Sequence, residues 1–376
     1  MSDAAQPELI DGIVATAWVD FNRNEVERIQ SEIQKAEGDY KKFWELCLAQ
    51  TLDSLKKAEE DLQALSNKRP DLDFSLSPKA KKVTKTTAAP ALKLIQAGAD
   101  IAQFQPTGEE MAFTHAVLCQ VGLPRSKVDG QSFMRQSGSA WVNVQAGYLD
   151  EGRGPVLQPV PYGAMPRLAL AWVSTYAKRY NTREVPIGDS ASEFLRLLGQ
   201  STSGGERGSF RTLRTQMHAL AACRLQLGYK GRTYNGQPVE QFDSWQINKG
   251  SNQKALWPGV LVLSDSYFSE LVANGVPLDN RALHALKGSA LALDVYAWLA
   301  HRLHRIEGRP VILHWKSLRE QFGQEYQGKD ADKDFKKKFM PALNAALAVY
   351  PKAQVKQVPG GLMLLPSPPP IAFKGA

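Results

Sequence analysis

Residues 184–217 decide the fold, and they read EVPIGDSASEFLRLLGQSTSGGERGSFRTLRTQM. A β-prone stub, Val185-Pro186-Ile187, is followed by a helix-prone segment that closes at Gly199, where a helix C-cap favours a residue that tolerates positive φ. A glycine-rich turn then leads to a second helix-prone segment. Apolar residues recur every three or four positions in both segments, which is typical of helices with one buried face: Phe194, Leu195, Leu198, Phe210, Leu213, Met217 and Leu220.

The surrounding pattern occurs twice. Over residues 166–232 it runs long apolar helix, strand, helix, Gly-rich turn, basic helix and hairpin, and residues 288–365 repeat that order. The second copy has the stub Val311-Ile312-Leu313, then Leu318 and Phe322, then Gly323 in the place of Gly199. Its last helix carries Phe335, Phe339, Leu343 and Leu347 at spacings of four. This order predicts two winged helices in tandem within an α+β, mainly helical chain.

The polar faces of the two basic helices point to double-stranded DNA. An α-helix fits the major groove of B-DNA, arginine can pair with guanine through two hydrogen bonds, and lysine suits phosphates. We therefore expect the first helix to read bases and the second to bind the backbone. An ordinary solvated face is the alternative for either helix alone, and the duplication favours DNA binding. The candidate residues are Arg207, Ser209, Arg211, Thr212, Arg214 and Thr215 in the first copy and Lys333, Lys336, Lys337 and Lys338 in the second.

A hairpin is predicted after each basic helix. In the first copy Asn235-Gly236 is a strong tight-turn signal, and in the second Pro359-Gly360-Gly361 separates two apolar segments. Lys230, Arg232, Lys352 and Lys356 are candidates for contacts with phosphates or the minor groove. Strand-like segments at 141–146, 156–160 and 259–264 are predicted to lead into the two copies, the last of them into the second.

Charge divides the chain into a head and a body. The net charge is +8 over 376 residues, but residues 1–75 hold 9 Lys and Arg against 16 Asp and Glu. The basic remainder of the chain is expected to attract a polyanion such as DNA, and the acidic residues 1–75 are expected to be repelled by it. We predict a helical acidic module at 1–74, a flexible basic linker at 75–109, a first winged helix at 110–250 and a second at 251–376. The apolar seam of the module fits either an intermolecular coiled coil or a helical hairpin.

Several classes of protein find little support. Cys47, Cys119 and Cys223 are far apart, so neither a disulfide framework nor a zinc site is predicted. His301 and His304 form at most a weak metal pair, and no phosphate-binding loop or paired carboxylates stand out. No cofactor is predicted, and we expect a protein that is not an enzyme. The absence of a signal peptide or a long apolar segment predicts a cytoplasmic protein that does not enter the membrane.

Several short motifs resemble one family. They are Gly122-Leu123-Pro124-Arg125, Phe133-Met134-Arg135, Tyr162-Gly163-Ala164-Met165-Pro166-Arg167, Glu184-Val185-Pro186-Ile187-Gly188 and Gly204-Gly205-Glu206-Arg207-Gly208-Ser209. Over roughly residues 110–370 the chain resembles the plasmid-encoded RepA replication initiators. That resemblance implies binding to repeats (iterons) at a plasmid origin, help in opening it, recruitment of a host replication initiator or helicase, and repression of its own promoter. It also implies that the helix over 206–216 reads bases, and self-association stays open.

Three alternatives differ in class. A winged-helix transcription regulator would share the fold and the charge, because fold does not specify function. A nicking enzyme would need a tyrosine facing a metal held by clustered histidines. A scaffold would act through residues 1–75, and their deletion would reveal it.

Overall fold

The chain folds as an α+β protein of helices and small antiparallel sheets, as the sequence predicts. The computed structural model describes residues 38–68, 85–152, 154–205, 208–242 and 259–372, together with Pro70 and single helical positions between Thr16 and Gln34. Two compact units divide the chain at Lys85, Met1–Lys85 and Thr86–Ala376. No helix in the described ranges combines the length and apolarity needed to cross a bilayer.

The first unit contains the helix α1 (Gly38–Lys68). Val19 and Ala58 are buried, and Arg23 Nη2 lies 2.7 Å from Glu59 Oε1 although the two residues are 36 positions apart. This contact joins two helical positions of one chain, and the choice between the helical hairpin and the intermolecular coiled coil stays a prediction.

The second unit begins with a helix in the range predicted as a flexible linker. The helix α2 spans Lys85–Gln103, and Leu94, Ala97 and Ile101 pack against the core. A Cβ at Gly98 would lie 2.1 Å from the carbonyl oxygen of Ala348, so the helix backbone needs glycine for this approach. The apolar period starts only after residue 91, which is why composition around 75–91 suggested a linker.

A mixed segment leads to the first copy. Its elements are β1 (Met111–His115), α3 (Ala116–Gln120), β2 (Ser132–Ser137), β3 (Ala140–Gln145), β4 (Tyr148–Asp150) and β5 (Pro155–Leu157). The first copy then consists of α4 (Ala164–Tyr180), β6 (Glu184–Pro186), α5 (Ala191–Leu197), α6 (Ser209–Ala222), β7 (Arg224–Tyr229), β8 (Arg232–Gly236), β9 (Val239–Phe242) and β10 (Val260–Leu263). The strand and helices of the deciding stretch are thus where the sequence predicts them.

The hairpin of the first copy differs from the prediction. The strands β7 and β8 do form a hairpin, but they join the sheet β2-β3-β7-β8. Its turn is Lys230-Gly231, whose φ angles are +47° and +81°, while Asn235 and Gly236 lie within β8. Positive φ at both central positions gives a tight hairpin turn, so the Asn-Gly signal was misleading here.

The partner of β6 is a strand that the sequence assigned to the second copy. The strand β10 pairs with β6 on one side and with β9 on the other, giving the order β6-β10-β9. The boundary predicted between residues 250 and 251 therefore falls between two strands of one sheet. Residues 243–258, between β9 and β10, lie outside the described ranges.

The second copy repeats this sheet order. Its elements are α7 (Asp265–Asn274), β11 (Gly275–Asp279), α8 (Asn280–Leu286), α9 (Ala290–Arg302), a short 3₁₀ helix (Leu303–Arg305), β12 (Val311–His314), α10 (Trp315–Phe322), α11 (Ala331–Ala348), β13 (Val355–Val358) and β14 (Gly361–Leu364). The sheet runs β12-β14-β13, so the strand before α10 pairs with the last strand, as β6 does.

One core runs through both copies. The apolar stripes predicted for α5, α6, α10 and α11 are buried, except that Phe210 and Leu347 are half-buried. Gly323 has φ of −145°, so the positive φ expected there is wrong. The glycine is needed instead for space, because a Cβ would lie 2.4 Å from the ring of Phe335.

Candidate nucleic-acid interface

A pair of serines fixes the start of α6. The backbone N–H of Ser203 donates to Ser209 Oγ at 2.8 Å, and the backbone N–H of Ser209 donates to Ser203 Oγ at 3.0 Å. This reciprocal bonding caps the first turn of the helix, whose N–H groups have no partner inside it. The predicted site residue Arg207 lies outside the described residues, next to this turn.

Only the first two turns of α6 reach the surface. Arg211 and Thr212 are exposed, and Ser209, Arg214 and Thr215 are half-buried. The Thr212 hydroxyl donates to the carbonyl of Gly208 at 3.1 Å. From Gln216 to Ala222 every residue is buried. The predicted grouping of polar residues at the start of the helix is therefore present, and a ligand could meet α6 only there.

A carboxylate occupies part of this surface. Glu151, between β4 and β5, accepts from Arg214 Nη2 at 3.2 Å and from Gln158 Nε2 at 2.9 Å, and it lies 3.1 Å from His218 Nδ1. Burial acts to raise the pKa of Glu151, but hydrogen bonds from His218 and Gln158 and the charge of Arg214 outweigh it and lower that pKa. For His218 the effect of burial has the opposite sign: burial lowers its pKa, and the nearby Glu151 carboxylate only partly offsets this. Arg214 is thus held by an ionised acid rather than standing alone on the helix face.

The cations of the β7–β8 hairpin lie apart from α6. Lys230 is exposed at the turn, with its Nζ 5.4 Å from the centre of the Tyr229 ring. Arg232 Nη2 lies 2.7 Å from Glu270 Oε1 of α7. The hairpin therefore contacts α7, and Arg232 forms an ion pair with the Glu270 carboxylate.

The second basic helix presents its lysines more openly. Lys333, Lys337 and Lys338 of α11 are exposed, as are Lys352 and Lys356 near and on β13. Lys336 is half-buried and holds its Nζ 4.8 Å from the centre of the Trp315 ring. Because the Lys336 cation lies over an aromatic ring of the protein, Lys336 makes a contact within the fold, whereas the neighbouring lysines are exposed.

The histidine pair weighed as a metal site is engaged otherwise. His301 is buried, with its Nε2 2.6 Å from Arg305 Nη1, and His304 Nδ1 lies 2.9 Å from the carbonyl of Ala300. Burial and the nearby Arg305 lower the pKa of His301 to about 4. In the described part of the chain no three His, Cys, Asp or Glu side chains come together as a metal site.

The described cations that the sequence predicts fall into three sets, on α6, on the β7–β8 hairpin, and on α11 and near β13. The α6 set rests on α4, α5, β4 and β9, whereas the α11 set rests on α8, α9 and α10. Sequence reasoning missed Glu151, Gln158 and His218. Glu151 and Arg214 are 63 positions apart, and no spacing rule relates residues that far apart, so only the tertiary fold could reveal their contact.

Comparison with known proteins gives one result for part of this region. The family described as plasmid encoded RepA protein matches residues 160–316, which confirms the resemblance over that range. The range begins before α4 and ends at the start of α10, so it includes α6 but neither α11 nor the first unit. Searches among curated proteins and among solved structures gave no match.

Proposed function

We propose that this protein is a plasmid replication initiator that binds specific double-stranded DNA repeats at its origin. The match of residues 160–316 to the plasmid-encoded RepA family supports this proposal. The observation that supports this most is the repeated topology. Each copy has a strand, two helices and a three-stranded antiparallel sheet in which the first strand pairs with the last. We interpret both copies as winged helices, with α6 and α11 as the helices that enter the major groove.

Within this proposal the two helices divide the work. Arg211 lies exposed in the first turns of α6, where a recognition helix reaches base edges, and arginine can specify guanine by two hydrogen bonds. Lys333, Lys337 and Lys338 carry positive charge on flexible stems, which suits phosphates. The first copy would therefore supply sequence preference and the second would supply affinity.

The linkage of two DNA-binding copies in one chain also suggests how origin DNA could be deformed. Once one copy is bound, the effective concentration of the other is raised because both belong to one chain. Two winged helices in successive major grooves would follow about one helical turn of DNA each. Bending of the duplex would favour opening of an adjacent AT-rich segment. Host protein recruitment, self-association and repression of its own promoter belong to the same proposal, and the role is proposed to be non-catalytic.

The test is footprinting on DNA flanking the gene, with scrambled competitor, at several salt concentrations. Protected repeats that survive competition support the proposal. Protection confined to a promoter would favour a transcription regulator, and uniform binding erased by salt would contradict both. A DNA-nicking assay with and without chelator tests the non-catalytic part, since metal-dependent nicking would contradict it.

Matched variants distinguish recognition of bases from attraction to phosphates. Arg211→Ala should relax base preference and weaken specific binding by about 1–3 kcal/mol. Lys337→Ala should weaken binding to all sequences alike and lower the salt slope by about one. Lys127→Ala removes an exposed cation from a loop outside both helices and should change neither. Equal effects of the first two variants would contradict the division of work.

A further inference from the structure

A cavity of about 680 Å³ lies away from the exposed faces of α6 and α11. Its wall is built by β1, α3, β8, α7, β11 and the 3₁₀ helix, so it joins the two copies. Binding sites for small molecules usually measure about 300–1,000 Å³ and combine apolar walls with a few polar groups. This cavity has the size and the mixed lining of such a site.

One residue of the cavity wall carries a buried donor without a partner in the described part of the chain. His115 is 2% exposed, and its Nδ1 accepts from the backbone N–H of Val117 at 3.2 Å. Burial lowers the pKa of His115 to about 4, so near neutral pH the ring carries one proton, at Nε2. Among the described residues this Nε2 has no hydrogen-bond partner. Buried donors are rarely left without an acceptor, because desolvation without a hydrogen bond is costly.

An exposed arginine also lines the cavity. Arg305 is exposed and lies against His301, and within the described ranges it forms no ion pair with a carboxylate. The cavity's acid, Glu270, is already engaged by Arg232. The lowered pKa of His301 reflects its burial and then the repulsion of Arg305, His304 and Arg302. His301 is therefore neutral near neutral pH, and an anion placed here would pair with the charge of Arg305.

A second cavity extends the first. It measures about 480 Å³ and shares Gln120, Tyr229, His301 and Arg305 with it. Arg302 lines this second cavity, and its Nε is buried without a hydrogen-bond partner in the described part of the chain. Tyr229 is 37% exposed and brings an aromatic ring to both cavities. One groove is thus lined by an exposed arginine, an aromatic ring and two residues that carry buried donors without a partner in the described part of the chain.

We propose that this groove binds a nucleoside phosphate, with the phosphate near Arg305 and the planar base against Tyr229. A phosphate supplies negative charge and acceptor oxygens for Arg305, and base–aromatic stacking contributes about 1–3 kcal/mol. The proposal goes beyond origin binding and does not depend on it, because the groove uses neither the exposed face of α6 nor that of α11.

Isothermal titration of the full chain tests this, with ATP, GTP, CTP and UTP as probes and with the unphosphorylated nucleosides and inorganic pyrophosphate as comparisons. We expect at least one triphosphate to bind tenfold more tightly than its nucleoside and than pyrophosphate. Arg305→Ala should weaken that binding at least tenfold, and because the side chain is exposed the fold should persist. His115→Phe should weaken it too, with its melting temperature and circular dichroism recorded to separate misfolding from lost binding.

The control is Lys316→Ala, which removes an exposed cation from α10 and should leave binding unchanged. Absence of triphosphate binding, or equal binding by the Arg305→Ala protein, would overturn the proposal. Binding of a single-stranded oligonucleotide without any mononucleotide would also overturn it. Origin footprinting with the Arg305→Ala protein shows whether the two functions are separate, since the proposal expects the footprint to remain.

Discussion

Arg167 and Asp294 form a two-point ion pair that joins the two copies. Arg167 Nε lies 2.6 Å from Asp294 Oδ1 and Nη2 lies 2.7 Å from Oδ2, and both side chains are less than a tenth exposed. The same guanidinium donates to the carbonyls of Leu123, Pro124 and Gly163. Every donor of this arginine is therefore engaged where α4 meets α9.

Asp294→Ala should destabilise the folded chain strongly. It leaves the Arg167 cation buried without its acid, which typically costs about 3–5 kcal/mol. The free energy of unfolding is measured by urea titration with circular dichroism. Glu240→Ala is the matched control, because Glu240 pairs with Arg183 and the two side chains are 57% and 33% exposed. A loss no larger than that of the control would contradict the structural importance of the pair.

Gly122→Ala should disturb the same ion pair from the other side. A Cβ at this position would lie 2.5 Å from Asp294 Oδ2 and 2.7 Å from Oδ1. Because the carboxylate is held by Arg167, it cannot move away freely, and overpacking of this kind costs about 1–3 kcal/mol. Gly130→Ala adds its methyl group in open space and should stay within about 0.5 kcal/mol of the parent. Similar unfolding midpoints for the two variants would refute this steric argument.

Glu151→Gln should strengthen non-specific DNA binding, if α6 is the reader. The change removes the negative charge beside Arg214 while keeping the shape of the side chain. One more uncompensated cation near the phosphates should steepen the salt slope by about one. Fluorescence anisotropy on unrelated duplex DNA at several salt concentrations measures this. Asp129→Asn, an exposed loop position, is the control, and an unchanged slope for Glu151→Gln would place the α6 face away from DNA.

Lys336→Ala and Lys337→Ala should have different effects although the residues are adjacent. Lys336 packs over Trp315, so its loss should lower the free energy of unfolding by about 0.5–1 kcal/mol. Lys337 is exposed, so its loss should weaken DNA binding and leave stability within about 0.5 kcal/mol. Thermal unfolding and anisotropy on the same samples compare the two. Equal stability of both variants would show that the cation–aromatic contact contributes nothing.

Acidification should destabilise the fold through two buried histidines. The pKa values of His115 and His301 are lowered from 6.5 to about 4, first by burial and, for His301, then by the charge of Arg305. The unfolded chain therefore binds more protons between pH 6.5 and about 4, and stability falls as pH drops through that window. From about pH 7 to about pH 5 each histidine should contribute a loss of about 2 kcal/mol.

Urea midpoints measured across this range, with variants, test the assignment. His301→Gln removes one titrating group and should flatten the pH dependence, whereas His314→Gln changes an exposed histidine and should not. A slope that is the same in the parent and the His301→Gln protein would assign the pH dependence to other groups.

Local patterns predicted the secondary structure of the two copies well. Phe194, Leu213, Phe335 and Phe339 are fully buried, as their spacing requires, because a helix with one apolar stripe can bury only that face. The same logic placed the strands at 184–186 and 311–314. It failed at Asn235-Gly236, where a neighbouring Lys230-Gly231 makes the turn, and at the linker, where α2 packs.

The candidate interface was predictable only in outline. Spacing put Arg211 and Lys337 on polar faces, and the structure leaves both exposed. Arg214, Arg232 and Lys336 lay on the same predicted faces, but their partners Glu151, Glu270 and Trp315 come from other elements. Which cations are engaged by the protein itself depends on these long-range contacts.

Most helices, most strands, the division of charge and the repeated element order could be predicted from the residues alone, because these features follow from composition and from periodicity within ten to twenty neighbours. The pairing of the strands, the completion of the first sheet by β10 and the contact of Arg167 with Asp294 across 127 positions became visible only in the folded chain. Pairing across such distances is selected by packing of the whole chain, since any apolar strand can satisfy another strand's hydrogen bonds, and local pattern does not distinguish among them.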